Sequence, residues 1–183
     1  MSDEIIVRHG SPTLAGLKTG NLFNCPYSDK EELFQALRSL NRRLVPKGVR
    51  VVPLRMWTDK VLLYIYRPRK LGNDLAVKEA ADLLRENGYN VDNLGKCVAH
   101  LGRRLCEMES FPHEIGLFLG YPPEDVRGFI ENHAEGYKCV GCWKVYGDEQ
   151  EARQLFEQYR KCTDVYCSQW AKGRSIERLT VAV

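Results

Sequence analysis

The sequence predicts an α+β fold, a mostly antiparallel mixed sheet with helices packed on it. Two strand-like segments follow each other across a short turn, and several other stretches repeat their apolar residues at helical spacing. Strands and helices do not alternate strictly, which argues against a parallel sheet. The 183 residues contain no internal repeat, low-complexity tract or interdomain linker, so we expect one globular domain, residues 1–183.

The composition, with 44% hydrophobic and 28% charged residues, is typical of a globular protein. The formal net charge of +3 is too small to require a nucleic-acid partner. The first residues, MSDEIIVRHG, begin with acidic side chains and lack the long apolar segment of a signal peptide. No apolar run approaches the roughly 20 residues that span a bilayer. We therefore expect a cytoplasmic protein that does not bind membranes.

The N-terminal part, residues 1–28, is predicted as a turn-rich loop, because a short apolar run precedes the glycine- and proline-rich segment SPTLAGLKTGNLFNCPYS. A helix follows from an N-cap at Ser28 or Asp29. Pro46 and Gly48 end it. Its apolar residues recur at helical spacing: Leu33, Phe34, Leu37, Leu40 and Leu44.

A β-hairpin is predicted next, from the β-branched and aromatic segments VRVVPLRMW and KVLLYIYR around a Thr58-Asp59 turn. Pro53 indicates that the first strand lies at an edge or carries a bulge. Tyr64 and Tyr66 share one face of the second strand. Their rings have the chemistry to stack on a base or a flavin, and packing against a helix is the alternative.

The middle of the chain is predicted to be mostly helical. Residues 67–70 are expected to form a solvated turn before a helix over about 73–87, which Gly88 ends. Asp92 caps the helix after that.

The C-terminal part is predicted as a strand, a long helix and a final strand. KCVGCWKVYG is a strand by composition. Asp148 caps the long helix and Gly173 ends it. The last residues, LTVAV, form a short strand.

Residues 111–133, FPHEIGLFLGYPPEDVRGFIENH, have the spacing of a helix-turn-helix motif. Gly116, Gly120 and Val126 stand where such motifs place a small residue, the turn glycine and a β-branched residue. One interpretation is therefore a nucleic-acid-binding regulator that acts through residues 113–130. Its second helix would present acidic side chains that repel phosphate: Glu124, Asp125 and Glu131. We favour two helices packed around a glycine turn and do not expect nucleic acid as a partner.

The segment RHGSPTLAGLKTGN has the composition of a small-ligand or anion site, because its glycines allow backbone N–H groups to approach a ligand. The candidate ligand-binding side chains are charged, titratable or hydroxyl-bearing: Arg8, His9, Ser11, Thr13 and Lys18. The triplet Arg8-His9-Gly10 also resembles the phosphate site of enzymes of the phosphoglycerate mutase type. That chemistry needs a second His-Gly, which the sequence lacks. A surface loop whose glycines serve turns is the alternative.

Two groups of side chains have the chemistry of metal ligands, with iron or zinc as the expected metal. In the first group, His9, His113 and Glu114 would converge on one ion. The second group is four cysteines, the first two with CxxC spacing: Cys139, Cys142, Cys162 and Cys167. Residues three apart on a strand point to opposite faces, and residues five apart on a helix diverge by roughly 140°. Structural thiols are therefore the alternative for the cysteines.

Three longer stretches carry a family resemblance: SPTLAGLKTGNLF, FPHEIGLFLGYPPEDVRGFIEN and WKVYGDEQEARQLFEQYRKC. Together they resemble an uncharacterised bacterial family of anaerobic Firmicutes, catalogued as domain of unknown function 3793, from about His9 to LTVAV. The resemblance implies no established activity. It implies a loose association with ferrous-iron uptake and flavodoxin. It also implies a cysteine at the position of Gly10 in many members, so a thiol role there does not carry over to this chain.

The predicted function is that of a cytoplasmic protein that binds a small molecule, an anion or a metal in iron or redox metabolism. A flavin ranks after iron and zinc as its cofactor, and flavodoxin is the kind of redox partner expected. The alternative is the helix-turn-helix regulator. The sequence leaves open whether the protein is an enzyme.

Overall fold

The computed structural model describes residues 2–108 and 110–182. The chain divides into two compact units: unit 1 is Met1–Arg69 with Tyr159–Val183, and unit 2 is Lys70–Gln158. The expectation of a single domain stays a prediction. The α+β class is confirmed, since helices accompany a small antiparallel sheet.

The helices and strands follow one another along the chain without strict alternation. In order they are α1 (Asp3–Leu14), β1 (Gly20–Pro26), α2 (Lys30–Leu44), β2 (Arg50–Met56), β3 (Lys60–Tyr66), α3 (Pro68–Ala76), α4 (Lys78–Glu86), α5 (Leu94–Glu107), α6 (Ile115–Phe118), α7 (Pro123–Glu131), β4 (Cys139–Val140), β5 (Lys144–Val145), α8 (Glu149–Ala171) and α9 (Ile176–Leu179).

Unit 1 contains a three-stranded antiparallel sheet in the order β1-β3-β2. The central strand β3 has the sequence KVLLYIY, and its side chains from Val61 to Tyr66 are buried. The predicted hairpin of β2 and β3 is confirmed. The irregularity expected at Pro53 is confirmed too, because β2 is an edge strand whose register shifts between Pro53 and Arg55.

Helix α2 begins and ends where the sequence predicts. The Asp29 carboxylate accepts a hydrogen bond from the backbone N–H of Glu32 at 2.7 Å, which satisfies one of the free donors of the first turn. After a short 3-10 turn, Gly48 adopts a φ of 78°, a left-handed conformation that ends the helical segment. The apolar face of α2 is buried in the core of unit 1 and consists of Leu33, Leu37, Leu40 and Leu44.

The loop predicted over residues 1–28 is wrong, because α1 and β1 occupy most of this segment. Gly10 suggested a turn, but it lies inside α1 against the sheet. A Cβ atom added at Gly10 would lie 3.0 Å from Cδ1 of Ile65, so the glycine allows close packing of the helix on β3. Pro12 is tolerated within the last turn of the same helix.

The solvated turn predicted at residues 67–70 is also wrong. Arg67 is 3% exposed, and its guanidinium donates to the carbonyls of Thr13 (2.6 Å), Leu14 (2.7 Å) and Val181 (2.8 Å). The last carbonyls of a helix have no partner within it, so this buried cation satisfies the C-terminus of α1.

The strand predicted at LTVAV is wrong as well. Its first residue ends the short helix α9. Beyond the helix, the backbone N–H of Val181 donates to the carbonyl of Leu14 at 3.0 Å. The segment is therefore tied to α1 through isolated bonds to its end and not through a sheet ladder in the described residues.

Unit 2 is mostly helical and differs from the sequence prediction at three places. The helix expected over 73–87 is divided into α3 and α4, since Val77 between them is extended with φ −60° and ψ 133°. The N-cap of α5 is Asn93 and not Asp92: the Asn93 side chain accepts from the backbone N–H of Lys96 at 2.9 Å. The single strand expected over KCVGCWKVYG is instead a short hairpin, β4 and β5, around a turn at Gly141.

The long helix α8 is confirmed at both ends. The Asp148 carboxylate accepts from the backbone N–H of Glu151 at 2.9 Å, as an N-cap does. Gly173 follows the end of the helix with a φ of 82°.

Across residues 2–108 and 110–182, none of the helices has both the length and the apolar character that crossing a bilayer requires. The cytoplasmic location stays a prediction.

Candidate functional site

Unit 2 contains a cavity of about 390 Å³, here called the aromatic cleft. Its aromatic lining is Phe111, Tyr121, Phe129 and Trp143. The remaining lining is Ile115, Gly116, Leu119, Val126, Val140 and Gly141, with the polar His113, Asp125 and Lys144. The volume lies within the range of small-molecule sites, and the apolar lining with few polar groups is typical of them.

One wall of the aromatic cleft is the helix pair α6 and α7. A Cβ atom added at Gly116 would lie 2.7 Å from Cγ2 of Val126, so only glycine allows the two helices to approach this closely. Gly120 turns the chain between them with a φ of 74°. The packing around a glycine turn that the sequence predicted is therefore what the segment adopts, and both helices also contribute to the cleft.

The opposite wall is the β4–β5 hairpin, which places Trp143 in the cleft. The indole ring stacks on Tyr121 with centroids 4.6 Å apart and meets Phe156 edge-on at 4.5 Å. Its Nε1–H donates to a carboxylate oxygen of Asp125 at 2.6 Å. Trp143 is thus held in the wall by two aromatic contacts and one hydrogen bond.

Asp125 joins the two walls. Its carboxylate is 3% exposed and accepts hydrogen bonds from Trp143 and from the backbone N–H groups of Tyr146 and Gly147, both at 2.7 Å. A buried carboxylate is tolerated when its oxygens are satisfied in this way. Asp125 therefore holds the hairpin to α7, and its oxygens are engaged by the protein itself.

Lys144 brings a positive charge to the aromatic cleft. Its ammonium donates to the carbonyl of Ala134 at 2.7 Å and lies 4.6 Å from the Tyr137 ring centroid and 5.9 Å from that of Phe129. Aromatic faces attract a cation but do not neutralise it. Among the residues that the structure describes, no carboxylate forms an ion pair with Lys144.

The rim of the cleft exposes apolar surface to water. Phe111 is 51% exposed and Val140 is 58% exposed. His113 is also exposed, and its ring meets Phe129 edge-on with centroids 5.0 Å apart. The cavity therefore opens to water between large apolar side chains.

The two metal sites predicted from the sequence stay predictions, because each set takes residues from both units. Within the described part of the chain, no group of three or more His, Cys, Asp or Glu side chains is arranged to hold a metal ion. Glu114 is buried and accepts hydrogen bonds from Arg104 at 2.6 Å and from Tyr89 at 2.8 Å. Burial, then the Glu114 charge, raises the pKa of the Tyr89 hydroxyl, which therefore remains a donor.

The four candidate cysteines lie in different environments. Cys139 is buried and Cys142 is exposed, whereas Cys162 and Cys167 are half-buried on α8. Burial raises the pKa of Cys162 to about 11, which keeps it protonated at neutral pH. A bound metal would itself displace the thiol proton, so the metal-ligand and packing interpretations of this residue both stay predictions.

The candidate anion-binding residues lie on α1 and just beyond it, and they differ in exposure. Arg8 is exposed and pairs with Glu4 at 3.1 Å. His9 is exposed and stacks on Phe23 with centroids 5.0 Å apart. Burial, then the neighbouring Arg8 charge, lowers the pKa of His9.

The other three candidate anion-binding residues are buried. The Ser11 hydroxyl donates to the backbone carbonyl of Val7. Thr13 is buried with its carbonyl on Arg67. Lys18 is 8% exposed, and its ammonium lies 5.7 Å from the Tyr159 ring centroid. Two of the five candidate anion-binding side chains are therefore exposed and three are buried in unit 1. A shared anion site formed by them stays a prediction.

The two tyrosines considered for ring stacking belong to the sheet. Tyr64 and Tyr66 stack on each other with centroids 4.6 Å apart, and both are buried. Their burial on the central strand fits the interpretation that the two tyrosines serve packing.

Sequence reasoning missed the aromatic cleft, although its signal is present. FPHEIGLFLGYP and CVGCWK carry three of the four aromatic residues that line the cleft, Phe111, Tyr121 and Trp143. The exposed Phe111, next to a proline and outside any periodic pattern, is the clearest single indication.

Comparison with known proteins assigns a family and no activity. No curated protein and no solved structure matches the chain. A family model with the description "Protein of unknown function (DUF3793)" matches residues 6–180, which is nearly the whole sequence. The chain therefore belongs to this family.

Proposed function

We propose that unit 2 binds a small organic molecule with a planar apolar ring in the aromatic cleft. The observation that carries the proposal is a ligand-sized cavity lined by four aromatic side chains, one of which remains half exposed at the rim. The proposal keeps the small-ligand class expected from the sequence and moves it to another part of the chain.

The free energy of binding would come from the apolar rim and the aromatic walls. Covering exposed apolar surface contributes roughly 25 cal/mol per Å². A ligand of about 17 non-hydrogen atoms that gains roughly 0.3–0.5 kcal/mol per atom would bind with a Kd of about 0.6–180 μM.

The walls are pre-organised for such a ligand. Asp125 fixes the hairpin to α7 through three hydrogen bonds, and Trp143 is packed between two aromatic rings. A ligand therefore does not have to order these side chains, which removes one of the usual entropic costs of binding.

The proposal is tested with N-phenyl-1-naphthylamine, a neutral dye of two linked ring systems whose emission rises in apolar surroundings. We expect saturable binding with one site per chain and a Kd in the micromolar range. Val140→Asp places a charge on the apolar rim and should weaken binding at least roughly tenfold, because a carboxylate beside an apolar ligand must be desolvated.

The control is Val165→Asp, since Val165 has nearly the same exposure, 56% against 58%, and does not line the cleft. Binding to this variant should match that of the unmodified protein. Equal losses in both variants, or dye uptake that never saturates, would contradict the proposal.

Nucleic-acid binding through residues 113–130 stays a prediction. Helix α6 has four residues, and the basic side chain of α7, Arg127, is within 3.5 Å of the carboxylates of Glu86 and Glu131. A measurement of duplex-DNA affinity over a range of salt concentrations tests it, because phosphate binding weakens steeply with salt.

A role in iron or redox metabolism, with flavodoxin as partner, also stays a prediction. The aromatic cleft does not depend on it. Elemental analysis of protein purified without oxygen and without an affinity tag measures iron and zinc directly.

A further inference from the structure

We infer that the molecule bound in the aromatic cleft is an organic anion, whose acidic group pairs with the ammonium of Lys144. The inference rests on the proposed function and narrows it to ring compounds that carry a carboxylate, sulfonate or phosphate. Two features of the described residues support it: the incomplete satisfaction of Lys144 and the complete satisfaction of Asp125.

Lys144 has donor capacity to spare. An ammonium has three N–H donors, and the hydrogen bond to the Ala134 carbonyl uses one of them. The rings of Tyr137 and Phe129 lie within cation–π distance. They hold the ammonium at the cleft while leaving its charge unpaired by any carboxylate of the described residues.

Asp125 is the acidic residue of the lining, and it does not take the role of counter-ion to Lys144. Its two oxygens accept three hydrogen bonds from the indole of Trp143 and two backbone N–H groups. These donors already stabilise its charge inside unit 2. A ligand in the cleft therefore meets two different groups. The Asp125 carboxylate already accepts hydrogen bonds from the protein, whereas the Lys144 ammonium has two N–H donors that no described residue accepts from.

Because the lining around it is apolar, the Lys144 ammonium should favour acidic ring compounds over neutral ones. A ring that enters the cleft displaces water from around the ammonium, and a pair of opposite charges is stronger where water is excluded. A neutral ring would desolvate Lys144 without replacing the lost water contacts. A ring with an acidic group in reach would replace them, so the acidic compound should bind more tightly than its neutral counterpart.

The test compares two dyes with the same anilinonaphthalene ring system. 8-Anilino-1-naphthalenesulfonate carries a sulfonate, and N-phenyl-1-naphthylamine is its neutral counterpart. We expect the sulfonate to bind the full chain roughly tenfold more tightly, the scale of a hydrogen bond to a charged group. Lys144→Gln should abolish this preference by weakening the binding of the sulfonate, and it should not weaken that of the neutral dye, which no longer has to desolvate a cation.

Lys138→Gln is the matched control. Lys138 also donates its ammonium to a backbone carbonyl, that of Gly147 at 2.6 Å, but it does not line the cleft. Its substitution removes the same formal charge from the same part of unit 2 and should leave the preference for the sulfonate intact. Lys144→Arg keeps a cation at the cleft and should retain most of the preference, and far-UV circular dichroism checks that each variant is folded.

The outcomes separate the two proposals. If neither dye binds saturably, the proposed function fails. If the neutral dye binds and the sulfonate shows no preference, or if Lys138→Gln lowers the preference as much as Lys144→Gln, the anion inference fails while the proposed function stands. A preference lost in Lys144→Gln alone and kept in Lys144→Arg supports both.

Discussion

Two buried charges, one from each unit, are satisfied by groups of opposite kinds. In unit 1 the guanidinium of Arg67 is satisfied by backbone carbonyls. In unit 2 the carboxylate of Asp125 is satisfied by an indole and backbone N–H groups. Arg67 ends a helix inside a closed apolar core, whereas Asp125 holds together walls that leave aromatic surface exposed. A buried charge is therefore common to both arrangements, and the apolar surface left open beside Asp125 is what distinguishes the second one.

The largest effect that tests this comparison is expected from Asp125→Ala. The change leaves one buried and two half-buried N–H donors without their acceptor, and a fully buried unsatisfied donor costs about 1–3 kcal/mol. We expect the free energy of unfolding to fall by about 3–5 kcal/mol in urea titrations followed by circular dichroism. A loss below about 1 kcal/mol would mean that the hairpin is held to α7 by packing alone.

A smaller loss is expected from Arg67→Met, which keeps much of the side-chain volume. The change leaves carbonyls unsatisfied, and a carbonyl with two lone pairs tolerates this better than an N–H group does. One of the carbonyls belongs to Val181, an exposed residue that water can reach. We expect a loss of about 2–3 kcal/mol in the same urea titration. A loss larger than that of Asp125→Ala would reverse the order of the comparison.

The smallest loss in the free energy of unfolding is expected from Gly116→Ala, in the wall of the cleft. The added methyl group would lie 2.7 Å from Val126, so the two helices must move apart, at a cost of about 1–3 kcal/mol. Gly72→Ala on α3 is the control, because no atom lies within 4 Å of its added Cβ. That control should be neutral or stabilising by up to about 1 kcal/mol, since alanine favours a helix over glycine. Equal behaviour of both variants would show that α6 and α7 are not closely packed.

Local chemistry made part of the fold predictable. Asp29 and Asp148 cap helices because a short acceptor side chain satisfies free N–H groups wherever a helix begins. The bulge at Pro53 follows from the missing N–H of proline. Each of these features depends on residues that are neighbours in the sequence.

The errors came from residues whose role depends on distant parts of the chain. Gly10 resembles a turn glycine in the sequence, but glycine is needed there because α1 packs closely on Ile65. Arg67 resembles a solvated residue, but its carbonyl partners come from the distant residues Thr13 and Val181. The aromatic cleft was missed for the same reason, because Phe111 and Trp143 line one cavity only when the hairpin folds against the helix pair.

Trp143 gives the molecule a built-in optical reporter. Its indole is buried in the cleft wall, and its N–H faces the carboxylate of Asp125. Indole emission responds to the polarity and the charge around the ring, so an occupant of the cleft should shift the fluorescence of this residue without any added label. The other two tryptophans, Trp57 and Trp170, are only half-buried, and replacing both by phenylalanine would isolate the signal. Candidate ligands that do not absorb at the excitation or emission wavelengths of tryptophan can then be screened by the intrinsic fluorescence of Trp143.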